Sequence, residues 1–238
     1  MELTQQTALV TGGTAGIGLA CARLLAAAGA TVLVTGRDGD RGAAAAAAIG
    51  ARFVRADLSD MESVRALARQ APEVDILVNN AAAFPAALTV EQELDPFERT
   101  FATNVRGLYF LTAALVPGML ARGRGSIVNI TTMVAGKGVP GASAYSASKA
   151  AVESLTRTWA AEFGPGGVRV NSVAPGPTRT EGVQAEWGDT NEELGRSLPL
   201  GRTADPLEIA QAVLFLASPL ASFITGSTLH ADGGGSAI

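Results

Sequence analysis

The chain has 238 residues, 47% of them hydrophobic and 17% charged, with a formal net charge of -4. That length carries one well-buried core and the composition excludes a disordered chain, while the scattered Lys and Arg exclude the basic patch that a nucleic-acid partner demands. The single cysteine, Cys21, excludes an intramolecular disulfide and a cysteine-based zinc site and fits a reducing cytoplasm; the chain opens without a secretory signal, and no apolar run is long enough to span a bilayer.

Short Val- and Ile-rich runs alternate with helical patterns along the whole chain. This alternation predicts repeated βαβ units: a doubly wound, Rossmann-type, mainly parallel seven-stranded sheet with helices on both faces, in a single α/β domain over residues 1–238. The first strand, residues 7–11, runs directly into Thr11-Gly12-Gly13-Thr14-Ala15-Gly16-Ile17-Gly18 and a helix over 16–28. Glycines at 12, 16 and 18 allow a tight turn, close approach of backbone N–H groups to a pyrophosphate, and close packing of helix on sheet. The spacing departs from G-x-G-x-x-G, and a glycine-rich turn can also be purely structural.

The second strand, 31–35, ends in Val34-Thr35-Gly36-Arg37, with no acid where a carboxylate would bind the ribose 2′-hydroxyl of NAD. The planar fork of Arg37 suits a 2′-phosphate instead, which favours NADP over NAD, although Ala15 offers no second positive charge. The alanine run that follows reads as a helix over 42–49, since alanine has the highest helix propensity. A strand over 52–55, a helix over 61–70 and a strand over 75–78 come next, then a long helix over 96–121 and a strand over 126–130.

A helix over 144–163 opens with Tyr145-Ser146-Ala147-Ser148-Lys149, so that Tyr145 and Lys149, at i and i+4, share a face. A free tyrosine titrates near 10, too high for efficient proton transfer at neutral pH; a neighbouring ammonium lowers that value and makes Tyr145 a candidate acid or base. A strand over 168–173 leads to residues 175–205, rich in Gly, Pro, Thr and charge and longer than an ordinary connection, which reads as a substrate lid loop. A helix over 206–217 and a strand near Thr228 complete the chain.

With TGGTAGIG, NNA, Asn104, YSASK and PG in this order, the chain resembles the short-chain dehydrogenase/reductase family from about Thr7 to Gly234. The resemblance implies an oxidoreductase that moves a hydride between NADP(H) or NAD(H) and a carbonyl or secondary alcohol. It implies that Tyr145 exchanges the substrate proton, that Lys149 holds the nicotinamide ribose and tunes Tyr145, and that Asn104 supports the lysine and a water chain. Gly12, Thr14, Gly16, Ile17 and Gly18, with Asp57 and Leu58 after the third strand and Asn79 and Ala81 after the fourth, are implied cofactor contacts. So are Pro175, Gly176, Thr178 and Thr180, beside the nicotinamide carboxamide. A homodimer or homotetramer is implied as well, built on the long helices from Pro96 and Ala144.

Two departures from the family pattern stand out. The substrate-positioning serine of the family lies 13 residues before the tyrosine, which in this chain is Thr132: the hydroxyl is kept, but the β-branch stiffens χ1 and the methyl narrows the pocket. NNAG becomes Asn79-Asn80-Ala81-Ala82, and an alanine held at positive φ would cost about 1–2 kcal/mol. These departures motivate a rival reading, a non-catalytic dinucleotide sensor or scaffold of the same fold. A further enzyme alternative, a 3-oxoacyl-thioester reductase, calls for a basic docking patch, for which Arg99, Arg106, Arg122 and Arg124 are candidates.

Other conspicuous residues read as structural. His230 is the one histidine that a histidine-based triad or facial metal site could use, and it reads as structural; the acids at 91, 93, 95, 189, 192 and 193 read as solvated faces. Trp187, Val183, Leu194 and Leu198 either wall an apolar pocket or anchor a closed lid.

Overall fold

The computed structural model describes residues 2–71 and 73–238. Strands β1 (Thr7–Thr11), β2 (Thr31–Gly36), β3 (Arg52–Arg55), β4 (Ile76–Asn79), β5 (Gly125–Ile130), β6 (Val168–Pro175) and β7 (Thr228–Ala231) form one sheet. Their order is β3-β2-β1-β4-β5-β6-β7, and every neighbouring pair is parallel. The chain therefore winds outward from β1 through β2 to β3, then returns to place β4 on the other side of β1. That reversal opens a crevice at the carboxyl ends of β1 and β4, where ligands of such sheets bind.

Strand alternation sorts the core into two layers. Leu9, Leu33, Leu77 and Ile127 face one side, where they pack with Leu67, Leu111, Val152 and Trp159. Val10, Val34, Val78 and Val128 face the other, packed with Leu25, Ala46, Ile209 and Val213. The first layer is closed by helices α3 (Met61–Gln70), α5 (Leu108–Arg122) and α6 (Ser143–Phe163), the second by α1 (Gly16–Ala27), α2 (Gly39–Ala47) and α9 (Pro206–Ala217).

Three elements differ from the sequence expectation. Helix α2 begins at Gly39, earlier than residue 42, because the Asp38 side chain accepts from Arg41 N–H and caps it. The expected single helix over 96–121 is α4 (Leu94–Phe101) and α5 joined by a π-helical turn, Ala102–Gly107, that carries Asn104. Residues 175–205 hold two short helices, α7 (Glu181–Trp187) and α8 (Thr190–Ser197), where a loop is expected; the Thr180 hydroxyl accepts from Val183 N–H and starts the first of them.

Beneath the crevice, a buried polar ladder locks sheet to helix. Asn79 Nδ2 donates to Asn129 Oδ1 (2.9 Å), Asn129 Nδ2 to Thr156 Oγ1 (2.8 Å) and Ser172 Oγ to Thr156 Oγ1 (3.0 Å), so that β4, β5, β6 and α6 share one network. Among the described residues no helix is long and apolar enough to cross a membrane, and no group of His, Cys, Asp and Glu is arranged to hold a metal ion.

Candidate active site

A cleft of about 880 Å³ runs along the carboxyl ends of the strands, from Arg37 and Asp57 at one end to Tyr145 and the helices α7 and α8 at the other. Its volume lies toward the upper end of the roughly 300–1,000 Å³ typical of ligand sites, which suits an extended ligand.

The glycine loop forms its floor. Gly12 sits at φ +62°, a conformation costly for any residue with a Cβ, and a Cβ on Gly18 would lie 2.2 Å from Gly12 O. The helix thus approaches the loop backbone as closely as two glycines permit, and Asn80 Nδ2 clamps the turn by donating to Thr11 O (2.9 Å) and Gly12 O (3.1 Å). Ala15, at the N-cap of α1, provides no side-chain acceptor, so the first-turn N–H groups of α1 stay free of a side-chain cap beside the cleft. Such an N-terminus favours an anion, and the loop has the form of a cradle that a Cβ would fill; the residues present fit a dinucleotide pyrophosphate. Thr14, Gly16 and Ile17 line the same stretch.

At the Arg37 end, Asp38 does not line the cleft, since its carboxylate is spent capping α2. Arg37 is exposed and lines the wall, and Arg41 stands beside it. Sequence reading missed this second cation; the signal is an arginine in the first turn of the helix after β2. Asp57 and Leu58 line the wall as expected. Burial works to raise the Asp57 carboxyl, but hydrogen bonds from Ser59 and the charges of Arg37 and Arg99 outweigh it and hold the group below its usual range.

The residues after β4 divide differently from the expectation. Asn79 is buried, turned toward Asn129 and Thr112 and away from the cleft, so the cleft-side asparagine is Asn80. Strand alternation accounts for the exchange: neighbouring residues face opposite sides. Ala81 lines the cleft. Ala82 does too, and it avoids the anticipated strain: among the described non-glycine residues only Gln5 has a positive φ.

Asn104 is fully buried and does not line the cleft. Its Oδ1 accepts from Ala83 N–H (2.7 Å), and its Nδ2 donates to Ala83 O (2.8 Å) and Ser148 Oγ (3.0 Å). Ser148 Oγ in turn donates to Tyr145 O (2.7 Å). Asn104 thereby ties Ala83 to the first turns of α6.

Tyr145, Lys149 and Thr132 come together at the other end. The Lys149 Nζ donates to Ile130 O at 2.7 Å and lies 5.8 Å from the centroid of the Tyr145 ring. Burial pushes the lysine down to about 8. Burial also pushes the Tyr145 phenol up to about 12, with a hydrogen bond to the Thr132 side chain pulling the other way. Desolvation outweighs that hydrogen bond, while the expected neighbouring ammonium is in place over the ring. Thr132 has extended backbone and its hydroxyl accepts from Val134 N–H at 3.4 Å, so the β-branch is accommodated beside the phenol.

The walls complete the site. Phe84 meets the Tyr145 ring edge-on with centroids 6.2 Å apart, and Glu186 Oε1 accepts from Ala86 N–H (2.8 Å), holding α7 against the 84–86 segment. Pro175, Gly176, Thr178 and Thr180 line the cleft as expected, as do Val183, Trp187 and Leu194, whereas Leu198 packs against Gly233 and Gly235. His230 lies outside the cleft, its Nδ1 3.1 Å from Ser236 Oγ. Two acids expected on solvated faces are engaged: Glu192 accepts from Arg179 (2.7 Å), and Asp95 lines the cleft. Of the four candidate docking arginines, only Arg99 lines the cleft; Arg122 and Arg124 pair with Asp75 before β4, and Arg106 donates to Ser59 O.

Gly18→Ala is expected to weaken dinucleotide binding at least about tenfold, because the added methyl collides with Gly12 O and Asn80 Nδ2 and forces the turn open. Fluorescence titration with NADPH checks this; unchanged affinity contradicts the cradle.

Residues 12–236 match a family model described as enoyl-(acyl carrier protein) reductase. A galactitol 2-dehydrogenase (L-tagatose-forming) of Cereibacter sphaeroides is 42% identical over 95% of this chain and 93% of its own. A solved short-chain dehydrogenase/reductase family protein is 65% identical over the full length of both chains, with a TM-score of 0.96. A structure described as a candidate NAD(P)-dependent gluconate 5-dehydrogenase from Beutenbergia cavernae, with NADP bound at low occupancy, is 37% identical over 100% of this chain and 99% of that one, with a TM-score of 0.91. The chain belongs to the short-chain dehydrogenase/reductase family and is an NAD(P)-dependent oxidoreductase acting on a carbonyl or alcohol.

Proposed function

We propose that the chain reduces a small-molecule carbonyl compound, or oxidises the matching secondary alcohol, with Tyr145 as the proton donor or acceptor and NADP(H) as the preferred cofactor. The observation that carries the reading is that Tyr145, Thr132 and Lys149 line the cleft that also holds the glycine cradle.

A bound nicotinamide supplies or takes up the hydride. The residues of the chain do the rest. Tyr145 and Thr132 hydrogen-bond the substrate oxygen and stabilise the charge that develops on it, and the protonated phenol delivers its proton there. Lys149, with a value near 8, is mainly ammonium at neutral pH and puts a positive charge beneath the phenol; its ribose contact is part of this reading. Gly12, Thr14, Gly16, Ile17 and Gly18 would hold the pyrophosphate side, Asp57, Leu58 and Ala81 the adenosine side, and Pro175, Gly176, Thr178 and Thr180 the carboxamide side. Arg37 and Arg41 would pair with a 2′-phosphate.

The ordinary backbone of Ala82 and the contact between Thr132 and Tyr145 remove the motives for a non-catalytic sensor. The alternative of a 3-oxoacyl-thioester reductase is supported by relatives of that name, including one of Vibrio harveyi 38% identical over 98% of this chain, whereas one of the four candidate docking arginines borders the cleft. Residues 175–205 are assigned as the substrate lid, supported by the Glu186 clasp. Self-association into a dimer or tetramer is part of the proposal, supported by exposed Leu94, Phe97, Tyr109 and Phe110 along α4 and α5. So is cytoplasmic residence, supported by the single buried thiol.

Tyr145→Phe is expected to lower kcat for ketone reduction by at least about 100-fold while leaving NADPH affinity within about twofold. Stopped-assay turnover and a binding titration separate the two quantities, and undiminished turnover contradicts the assignment. Arg37→Ala with Arg41→Ala is expected to reduce the preference for NADPH over NADH by about tenfold or more, read as the ratio of the two dissociation constants. An unchanged ratio contradicts the 2′-phosphate site.

A further inference from the structure

We infer that the substrate end of this cleft selects an uncharged, apolar carbonyl compound and discriminates against anionic ones; the inference rests on the hydride-transfer reading above. The wall beyond Tyr145 is built from Phe84, Pro85, Val134, Val139, Val183 and Trp187, which offer a substrate apolar surface and little hydrogen bonding. The ionisable side chain tied to this wall is an acid, Glu186 on α7. Glu186 is held in place over the cleft, since its Oε1 accepts from Ala86 N–H at 2.8 Å.

The cations that would offset this charge are committed elsewhere. Lys137, in the segment after Thr132, donates to Gly235 O (3.1 Å) and Ile238 O (3.4 Å) and does not line the cleft. Arg179 is paired with Glu192 at 2.7 Å and Arg202 with Glu208 at 2.7 Å. Arg37 and Arg99 lie near Asp57 at the opposite end, Arg41 follows in the first turn of α2, and Lys149 turns its Nζ into Ile130 O. A carboxylate or phosphate carried past Tyr145 therefore meets the like charge of Glu186, while Arg99, which also lines the cleft, acts on Asp57 at the far end. Like charges several ångströms apart at the screening of a protein surface impose a penalty on the order of tenfold in kcat/KM, and added salt reduces it.

The test compares two ketones that share a ring and differ in charge: methyl 4-oxocyclohexanecarboxylate and 4-oxocyclohexanecarboxylate. NADPH oxidation by the wild-type protein at low ionic strength is expected to favour the ester over the acid by about tenfold in kcat/KM. High salt is expected to narrow the ratio to about threefold or less. Glu186→Gln keeps an oxygen for Ala86 N–H and removes the charge; it is expected to narrow the ratio in the same way, whichever way turnover of the ester moves. An acid reduced as efficiently as the ester overturns the inference alone, as does a ratio that neither salt nor Glu186→Gln alters. Reduction of neither compound by a protein that binds NADPH overturns it together with the hydride-transfer reading.

Discussion

Helix α6 is held to the end of β5 by a buried ammonium. Lys149 is almost wholly shielded from water, and its Nζ gives a 2.7 Å hydrogen bond to the Ile130 carbonyl, two residues before Thr132. A bond from a charged donor is worth about 1.5–3 kcal/mol net, and the ladder from Asn79 through Asn129 to Thr156 adds neutral ones lower on the same two elements. Helix and strand cannot slide past one another without leaving several buried polar groups unsatisfied. The result at the surface of the cleft is a fixed relation between a phenol on α6 and a hydroxyl just beyond β5. Chemistry that needs both on one substrate oxygen depends on that relation more than on any contact within the cleft.

The cleft itself is electrostatically divided. Arginines border its β2–β3 end and the uncapped N-terminus of α1 its middle, both suited to the phosphates of a dinucleotide. Beyond Tyr145 the wall turns apolar and acidic. The division follows from the topology, since the first end is built by short strand–helix turns and the second by α7 and α8, which are inserted after β6. Relatives of this chain bear the names of enzymes acting on very different molecules, and the inserted helices are where the proposed selectivity resides.

Much of this was legible in the sequence because local signals and the fold agree. Strand–helix alternation gives the parallel sheet, TGGTAGIG gives the tight turn, and the i, i+4 spacing of Tyr145 and Lys149 gives their shared face. What escaped was set by tertiary context. Asn79 and Asn80 are chemically identical neighbours, and only the phase of β4 decides which of them faces the cleft. Arg41 acquires its role through the cap at Asp38, and α7 emerges from a stretch whose Gly and Pro content reads as loop. The ionisation of Tyr145 is of the same kind: spacing reports that an amine is near, whereas burial, a property of the assembled fold, pushes the phenol up.

That last point admits a direct measurement. The chain has two tyrosines, so phenolate absorbance recorded across alkaline pH in the wild-type protein and in Tyr145→Phe isolates the titration of Tyr145 by difference. The account predicts a transition near 12, held up by burial. A transition at or below the ordinary tyrosine value of about 10 would contradict it, and would mean that the neighbouring ammonium, rather than desolvation, sets the state of the proton donor.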